Sequence, residues 1–211
     1  MCGIFGSIGI NKINKKKFYQ IALHARQRGR DSSGLIYYDS NKYKVNRADY
    51  DIKQLLEKES NLETNVIMGH SRLITNGLSD NQPVVKDGIC VIHNGIIVND
   101  QEIWDSLDLQ RNFQIDSEVI AGIAKKHLQD GGDVTDLQEN ILSKCEGIVA
   151  CALAIPHLGK ICLFSNNGSL YIGKNEVTTY FSSERYPLEV IGCIDIQQIW
   201  NEGVVIDIPP S

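Results

Sequence analysis

The residues that could carry chemistry begin at position 2. Cys2 directly follows the initiator methionine and precedes Gly3 and Ile4. Once Met1 is removed, one residue carries a thiol and a free α-amine. The amine ionises near ~7.7–8.0, a range suited to taking and returning a proton at neutral pH. The thiolate is an intrinsically strong nucleophile, so Cys2 supplies both nucleophile and base for acyl transfer. On position alone, Cys2 reads better as an ordinary residue at a frayed end.

Acyl transfer also needs donors aimed at the developing oxyanion. His93-Asn94-Gly95 follows the apolar stretch Ile89-Cys90-Val91-Ile92. It is expected to place an Asn side-chain amide and a glycine N–H at a strand end. Asn-Gly is also a common tight-turn dipeptide, so by itself this tripeptide reads as a turn. Arg72, followed by Thr75 and Asn76, has the fork geometry to hold a carboxylate bidentately. Asp116 opens Asp116-Ser117-Glu118-Val119-Ile120 and could pair with an ammonium group. Taken singly, Asp116 reads as a plain N-cap.

These residues need a scaffold. Gly3–Ile10 reads as a strand. Phe18, Ile21, Ala22 and Ala25 fall at helical spacing within Lys15–Gln27, which Gly29 ends. Short strands are expected at Leu35–Tyr38 and Tyr43–Val45, with two more at Asn65–Arg72 and Gly88–His93. Three helices follow. One is capped by Asn99 or Asp100, the next starts near Asp116, and the last is capped by Asp133. Strands return at Ile148–Ile155, Lys160–Phe164, Leu170–Ile172, Thr178–Ser182 and Val204–Ile208. The first two of these are apolar on both faces, which predicts a covered sheet. The pattern is α+β with a buried sheet, and periodicity does not give the order of the layers.

With 211 residues, 42% of them hydrophobic, the chain is long enough for one well-cored domain. Its span is expected to be 1–208, with 209–211 as a tail or the start of a linker. The net charge of −5 excludes a general attraction to nucleic acid or anionic membrane. The start of the chain lacks a basic region and a long apolar run, and no window is apolar enough to span a bilayer. The expectation is a soluble cytoplasmic protein. None of the six cysteines shows C-x-x-C spacing, and His24, His127 and His157 form no ligand cluster. No metal or cofactor is expected.

Five stretches recur in a recognisable order: Met1-Cys2-Gly3-Ile4-Phe5-Gly6, Arg28-Gly29-Arg30-Asp31-Ser32-Ser33-Gly34, Gly69-His70-Ser71-Arg72, His93-Asn94-Gly95-Ile96-Ile97 and Asp116-Ser117-Glu118-Val119-Ile120. Together they resemble the class II, N-terminal-nucleophile glutamine amidotransferase domain, and the resemblance covers essentially the whole chain. The HNGII and DSEVI stretches are most similar to the glutaminase domain of glucosamine-6-phosphate synthase. The corresponding domains of phosphoribosyl-pyrophosphate amidotransferase, asparagine synthetase and glutamate synthase come next.

The resemblance implies a four-layer α/β/β/α sandwich of two mostly antiparallel sheets, the N-terminal-nucleophile hydrolase fold. It implies that Cys2 is the nucleophile and that Asn94 and Gly95 form the oxyanion hole. Arg72 and Asp116 would clamp the glutamine α-carboxylate and α-ammonium, with Thr75, Asn76 and Gly77 lining the pocket. Arg28 and Asp31 would organise the loops around Cys2, and His70 and His93 would be structural. Leu73-Ile74-Thr75-Asn76 departs from the aromatic-Ala-Thr-His run usual in sugar-aminating relatives. The implied partner is a synthase domain or separate synthase subunit that takes the ammonia, with a sugar phosphate or nucleotide-linked sugar as acceptor. Two other classes stand beside this one: a non-catalytic glutamine-binding module, and a hydrolase of another amide.

Overall fold

A computed structural model describes residues 2–39, 42–73 and 81–209. The seven-stranded sheet contains β1 (Cys2–Gly9), β2 (Ser32–Asp39), β3 (Lys42–Ala48), β4 (Val66–Arg72), β9 (Tyr171–Asn175), β10 (Thr178–Ser182) and β11 (Ile194–Gln198). Its order is β11-β9-β10-β1-β4-β2-β3. The five-stranded sheet contains β5 (Val84–Lys86), β6 (Ile89–Ile97), β7 (Gly147–Ile155), β8 (Lys160–Ser165) and β12 (Gly203–Asp207), in the order β12-β8-β7-β6-β5. The strand pairs of both sheets are antiparallel.

Three apolar layers hold these sheets and their helices together, which makes the molecule a four-layer α/β/β/α sandwich. Between the sheets lie Ile4, Ile8 and Met68 on one side, with Ile92, Ala152 and Leu163 on the other. Phe5, Leu35 and Ile67 leave the opposite face of the first sheet and meet Phe18, Ile21 and Ala22 of α1 (Lys15–Arg26). Val91, Leu153 and Phe164 do the same on the second sheet, against Val119, Ile120 and Ile123 of α4 (Glu118–Gln129). The central strands β1, β2, β4, β6, β7 and β8 therefore bury both faces. Every large side chain so covered contributes about 1.5–3 kcal/mol of transfer free energy.

Local signals explain the best-defined helix. Asn14 caps α1 by accepting from the Lys17 N–H at 3.1 Å, and His24 and Arg26 complement the dipole in the last turn. Four elements were not foreseen: α2 (Ile52–Lys58), α6 (Arg185–Val190), β5 and β11. The helical region in the middle of the chain holds α3 (Asp100–Leu107), α4 and α5 (Leu137–Lys144), close to expectation. Asp133 caps a short 3-10 turn, Val134–Asp136, that leads into α5.

One expectation is corrected. The strand containing Ile89–Ile92 does not end at His93-Asn94-Gly95 but runs on to Ile97. Asn94 and Gly95 pair with Ala150 and Val149 of β7, so the dipeptide is part of a ladder and not a turn. Long-range pairing with β7 outweighs the local turn preference of Asn-Gly.

Candidate active site

The two sheets bring four sequence-identified residues together at one end of the gap between them. Cys2 opens β1, and its register partner on β4 is Arg72. Directly paired residues share a face, and alternation along β1 puts Cys2 on the same side as Ile4 and Ile8, towards the other sheet. There the Cys2 backbone nitrogen lies 3.3 Å from Asn94 Oδ1 of β6. This contact takes the oxygen end of the Asn94 amide and leaves the Nδ2 end as the donor.

Burial pushes the Cys2 thiol up. The chain's terminal ammonium, the Arg72 guanidinium and the Leu73 N–H oppose that shift, while the Asp116 carboxylate adds to it. A cation and an anion thus flank the thiol, the pair of charges required to hold a free amino acid by both of its termini.

The amide of Gly95 is set apart by its neighbours. Along an antiparallel strand, successive residues turn their N–H and C=O to alternate edges. On one edge of β6, the His93 N–H donates to Gln82 Oε1 at 2.7 Å and the Ile97 N–H donates to Asp116 Oδ2 at 2.7 Å. Gly95 lies between them on the same edge. Its register partner Val149 turns away: its N–H donates to Asn166 Oδ1 and its C=O accepts from the Asn166 N–H, each at 2.9 Å. The Gly95 amide therefore makes no ladder bond to Val149. Its φ of +143° and the 2.0 Å that would separate an added Cβ from Ile148 O demand glycine here.

Asp116 does not cap α4, the role its position suggests in isolation. Its carboxylate is taken by Ile97 of β6, and the helix begins at Glu118. Ser117, at the N-cap position, makes no capping bond either, because its hydroxyl is used elsewhere. It accepts from Gln82 Nε2 at 3.2 Å and reaches His93 Nδ1 at 3.1 Å.

Behind the site, Arg28 donates from Nη1 to the Cys2 carbonyl at 3.2 Å and pairs with Glu184 at 3.0 Å. The Asp31 N–H donates to the Arg72 carbonyl at 3.1 Å. Gly29 lets this loop touch β4, since a Cβ there would fall 2.2 Å from the Arg72 carbonyl carbon. Thr75, Asn76 and Gly77 lie outside the described residues.

His93 is buried, which pushes its imidazole down, with Asp116 and the Ile148 carbonyl acting in the opposite sense. His70 is fully buried, with neither ring nitrogen hydrogen-bonded among the described residues, and burial beside Arg72 and His93 pushes it down to about 3. Among the described residues no group of three His, Cys, Asp or Glu side chains could hold a metal ion. Sequence reasoning missed Gln82, Ser117, Asn166 and Glu184. The groups their side chains meet, several of them on the backbone, lie 11 or more positions away, and although Ser117 stands in a recognised stretch nothing local gives it a partner.

Comparison with known proteins identifies the family and the fold. Residues 70–189, which include Arg72, Asn94, Gly95 and Asp116, match the family model of a glutamine amidotransferase domain. The glutamine–fructose-6-phosphate aminotransferase (isomerizing) of Sulfolobus acidocaldarius is 30% identical over 198 residues, covering 87% of this chain and 33% of that enzyme. The enzyme of the same name from Rhizobium meliloti is 26% identical over 196 residues, 89% of this chain and 32% of its own. The chain thus spans about a third of the length of these relatives. Glutamine phosphoribosylpyrophosphate amidotransferase of B. subtilis shares the fold, with a TM-score of 0.79 at 23% identity over 98% of this chain and 47% of that one. A family match across more than half the chain means that this chain belongs to the glutamine amidotransferase domain family.

Proposed function

We propose that the chain hydrolyses the side-chain amide of glutamine to glutamate and ammonia through a thioester on Cys2. The observation that carries this reading is the placement of the Cys2 nitrogen 3.3 Å from Asn94 Oδ1, with the charges of Arg72 and Asp116 flanking the thiol.

With Met1 removed, the Cys2 α-amine takes the thiol proton and the sulfur adds to the carboxamide carbon. Asn94 Nδ2 and the Gly95 N–H receive the oxyanion. Arg72 holds the α-carboxylate and Asp116, through the carboxylate oxygen not used by Ile97, the α-ammonium. Collapse of the intermediate breaks the C–N bond, with the α-amine returning its proton to the departing nitrogen. Water then cleaves the thioester to release glutamate. The bound thiol is pushed up, so a base in the same residue is what makes the sulfur reactive at neutral pH.

The ammonia goes to a synthase domain or a separate synthase subunit. Both relatives are named for fructose-6-phosphate, so a sugar phosphate or nucleotide-linked sugar is the class of acceptor proposed. We place the chain in the cytoplasm. Its six cysteines are free, as in a reducing compartment, and among the described residues no helix is long and apolar enough to cross a membrane.

The test is intact mass before and after diazo-oxo-norleucine, a glutamine analogue that alkylates such cysteines. The expected result is a chain lacking Met1 that gains one adduct, with no adduct on Cys2→Ala. Asn94→Ala should still be labelled on Cys2, with glutamate release slowed roughly 100–1000-fold through loss of one oxyanion donor. Retained Met1, or an adduct that persists in Cys2→Ala, refutes the proposal.

A further inference from the structure

Resting on the glutaminase reading above, we infer that Gln82 and Ser117 are positioning residues that aim the oxyanion donors. They do so through a closed hydrogen-bond circuit that joins the substrate clamp to the strand carrying Asn94 and Gly95.

The direction of every bond in the circuit is determined. The His93 N–H must donate, so Gln82 Oε1 is the acceptor at 2.7 Å. Gln82 Nε2 then donates twice, to the His93 carbonyl at 3.1 Å and to Ser117 Oγ at 3.2 Å. Gln82 thus meets both backbone groups of His93 as a neighbouring strand would, at a point beyond the end of β5. The Ile148 carbonyl can only accept, so the neutral His93 imidazole carries its proton on Nε2 and donates it there at 3.1 Å. That leaves Nδ1 as the acceptor of the Ser117 hydroxyl proton at 3.1 Å. Gln82, His93 and Ser117 are all buried, so no solvent competes for these bonds.

The end of the circuit explains its purpose. Ile148 O is the atom a Gly95 Cβ would strike at 2.0 Å, so the carbonyl that His93 anchors is also the one that leaves Gly95 its unusual conformation. The start of the circuit is Ser117, next in sequence to Asp116, whose carboxylate holds the Ile97 N–H two residues beyond Gly95. The Asp116-Ser117 dipeptide therefore grips β6 on both sides of the oxyanion donors, at Ile97 directly and at His93 through its ring. Substrate engaging Asp116 meets a strand already aimed. The neutral imidazole fits this role, since its one proton goes from Nε2 to the Ile148 carbonyl and leaves Nδ1 to accept from Ser117.

The test compares wild type, Ser117→Ala and Gln82→Glu, none of which alters Cys2, Arg72, Asn94 or Asp116. Gln82→Glu keeps the shape and the acceptor and exchanges the donating amide for a carboxylate oxygen. Glutamate release is measured per site labelled by diazo-oxo-norleucine, so a misfolded fraction does not count. Each variant should lose kcat roughly 10- to 100-fold with KM nearly unchanged, part of the ~100–1000-fold that a well-aimed donor supplies. The Gly95 amide resonance should shift in both, while amides of α1 stay in place. Wild-type kcat per labelled site with an unmoved Gly95 resonance overturns the inference. If wild type itself releases no glutamate, the glutaminase reading fails, and the Gly95 resonance alone decides whether Gln82 and Ser117 set the strand.

Discussion

Replacing Gly95 by alanine puts the central claim about β6 under direct strain. The added Cβ would fall 2.0 Å from Ile148 O and 3.0 Å from His93 Nε2, while φ stays at +143°. Holding a non-glycine residue in such a region costs of order 1–3 kcal/mol. Relieving the clash requires β7 to withdraw at Ile148, which breaks the 3.1 Å bond from His93 and strands a buried imidazole N–H at about 1–3 kcal/mol. The two together predict a loss of about 2–6 kcal/mol in unfolding free energy. The control is Gly131→Ala, at φ +80° with nothing within 4 Å of the added carbon, where only backbone strain of about 1–2 kcal/mol applies. Urea unfolding followed by circular dichroism gives both stabilities, and glutamate release gives the activity. Gly95→Ala should be the less stable of the two and nearly inactive, because its amide no longer faces the pocket. Equal stability of the two variants together with wild-type glutamate release would refute the account of the strand.

Two further perturbations probe buried charge. His70 is pushed down to about 3 from an ordinary ~6.5, so between those values the unfolded chain binds a proton that the folded chain refuses. Its contribution is intact above the ordinary value and is lost as pH falls towards about 3. Between pH 8 and pH 5 it should remove about 2 kcal/mol of stability, and urea midpoints at the two pH values should show that loss shrinking in His70→Gln. An unchanged loss would exclude His70 as the source. Elsewhere, Lys86 Nζ stands 3.8 Å from Glu118 Oε1, with both side chains buried. Lys86 also donates to Gln110 O and Asn112 Oδ1, each at 2.7 Å, and Glu118 accepts from the Asn112 N–H at 2.6 Å. Glu118→Leu should cost roughly 3–5 kcal/mol in thermal or urea unfolding, because it leaves an ammonium buried and uncompensated. Adding Lys86→Met should recover part of that. A single variant within error of wild type would show that the pair is not buried as described.

What could be read from the sequence followed how local each determinant is. Helix α1 lies within a residue of its expected bounds because Asn14, the spacing of Phe18, Ile21 and Ala22, and the basic last turn all act within one stretch of chain. Strands β7 and β8 were similarly legible from continuous apolar runs. β5 has three residues, and β11 is largely exposed with a register shift between Ile194 and Gln197, so neither carries a period to read. In the site, residue types announced Cys2, Arg72, Asn94 and Asp116, but not why they meet. Cys2 and Arg72 are joined by a strand register spanning 70 positions, and no local pattern encodes a register. At Asp116 and Ser117, local and distant partners compete directly. A helix start offers free N–H groups to both side chains, and in a peptide both would be expected to cap. Here the Ile97 N–H and the His93 ring present stronger claims, because each would otherwise be a buried polar group without a partner, a cost of about 1–3 kcal/mol, whereas an uncapped helix N–H can still turn to water. The two residues give up the role their positions suggest for that reason. The same competition makes Gln82 silent in the sequence: a lone glutamine before a proline gains meaning only when β6 passes beside it with both backbone groups of His93 unpaired.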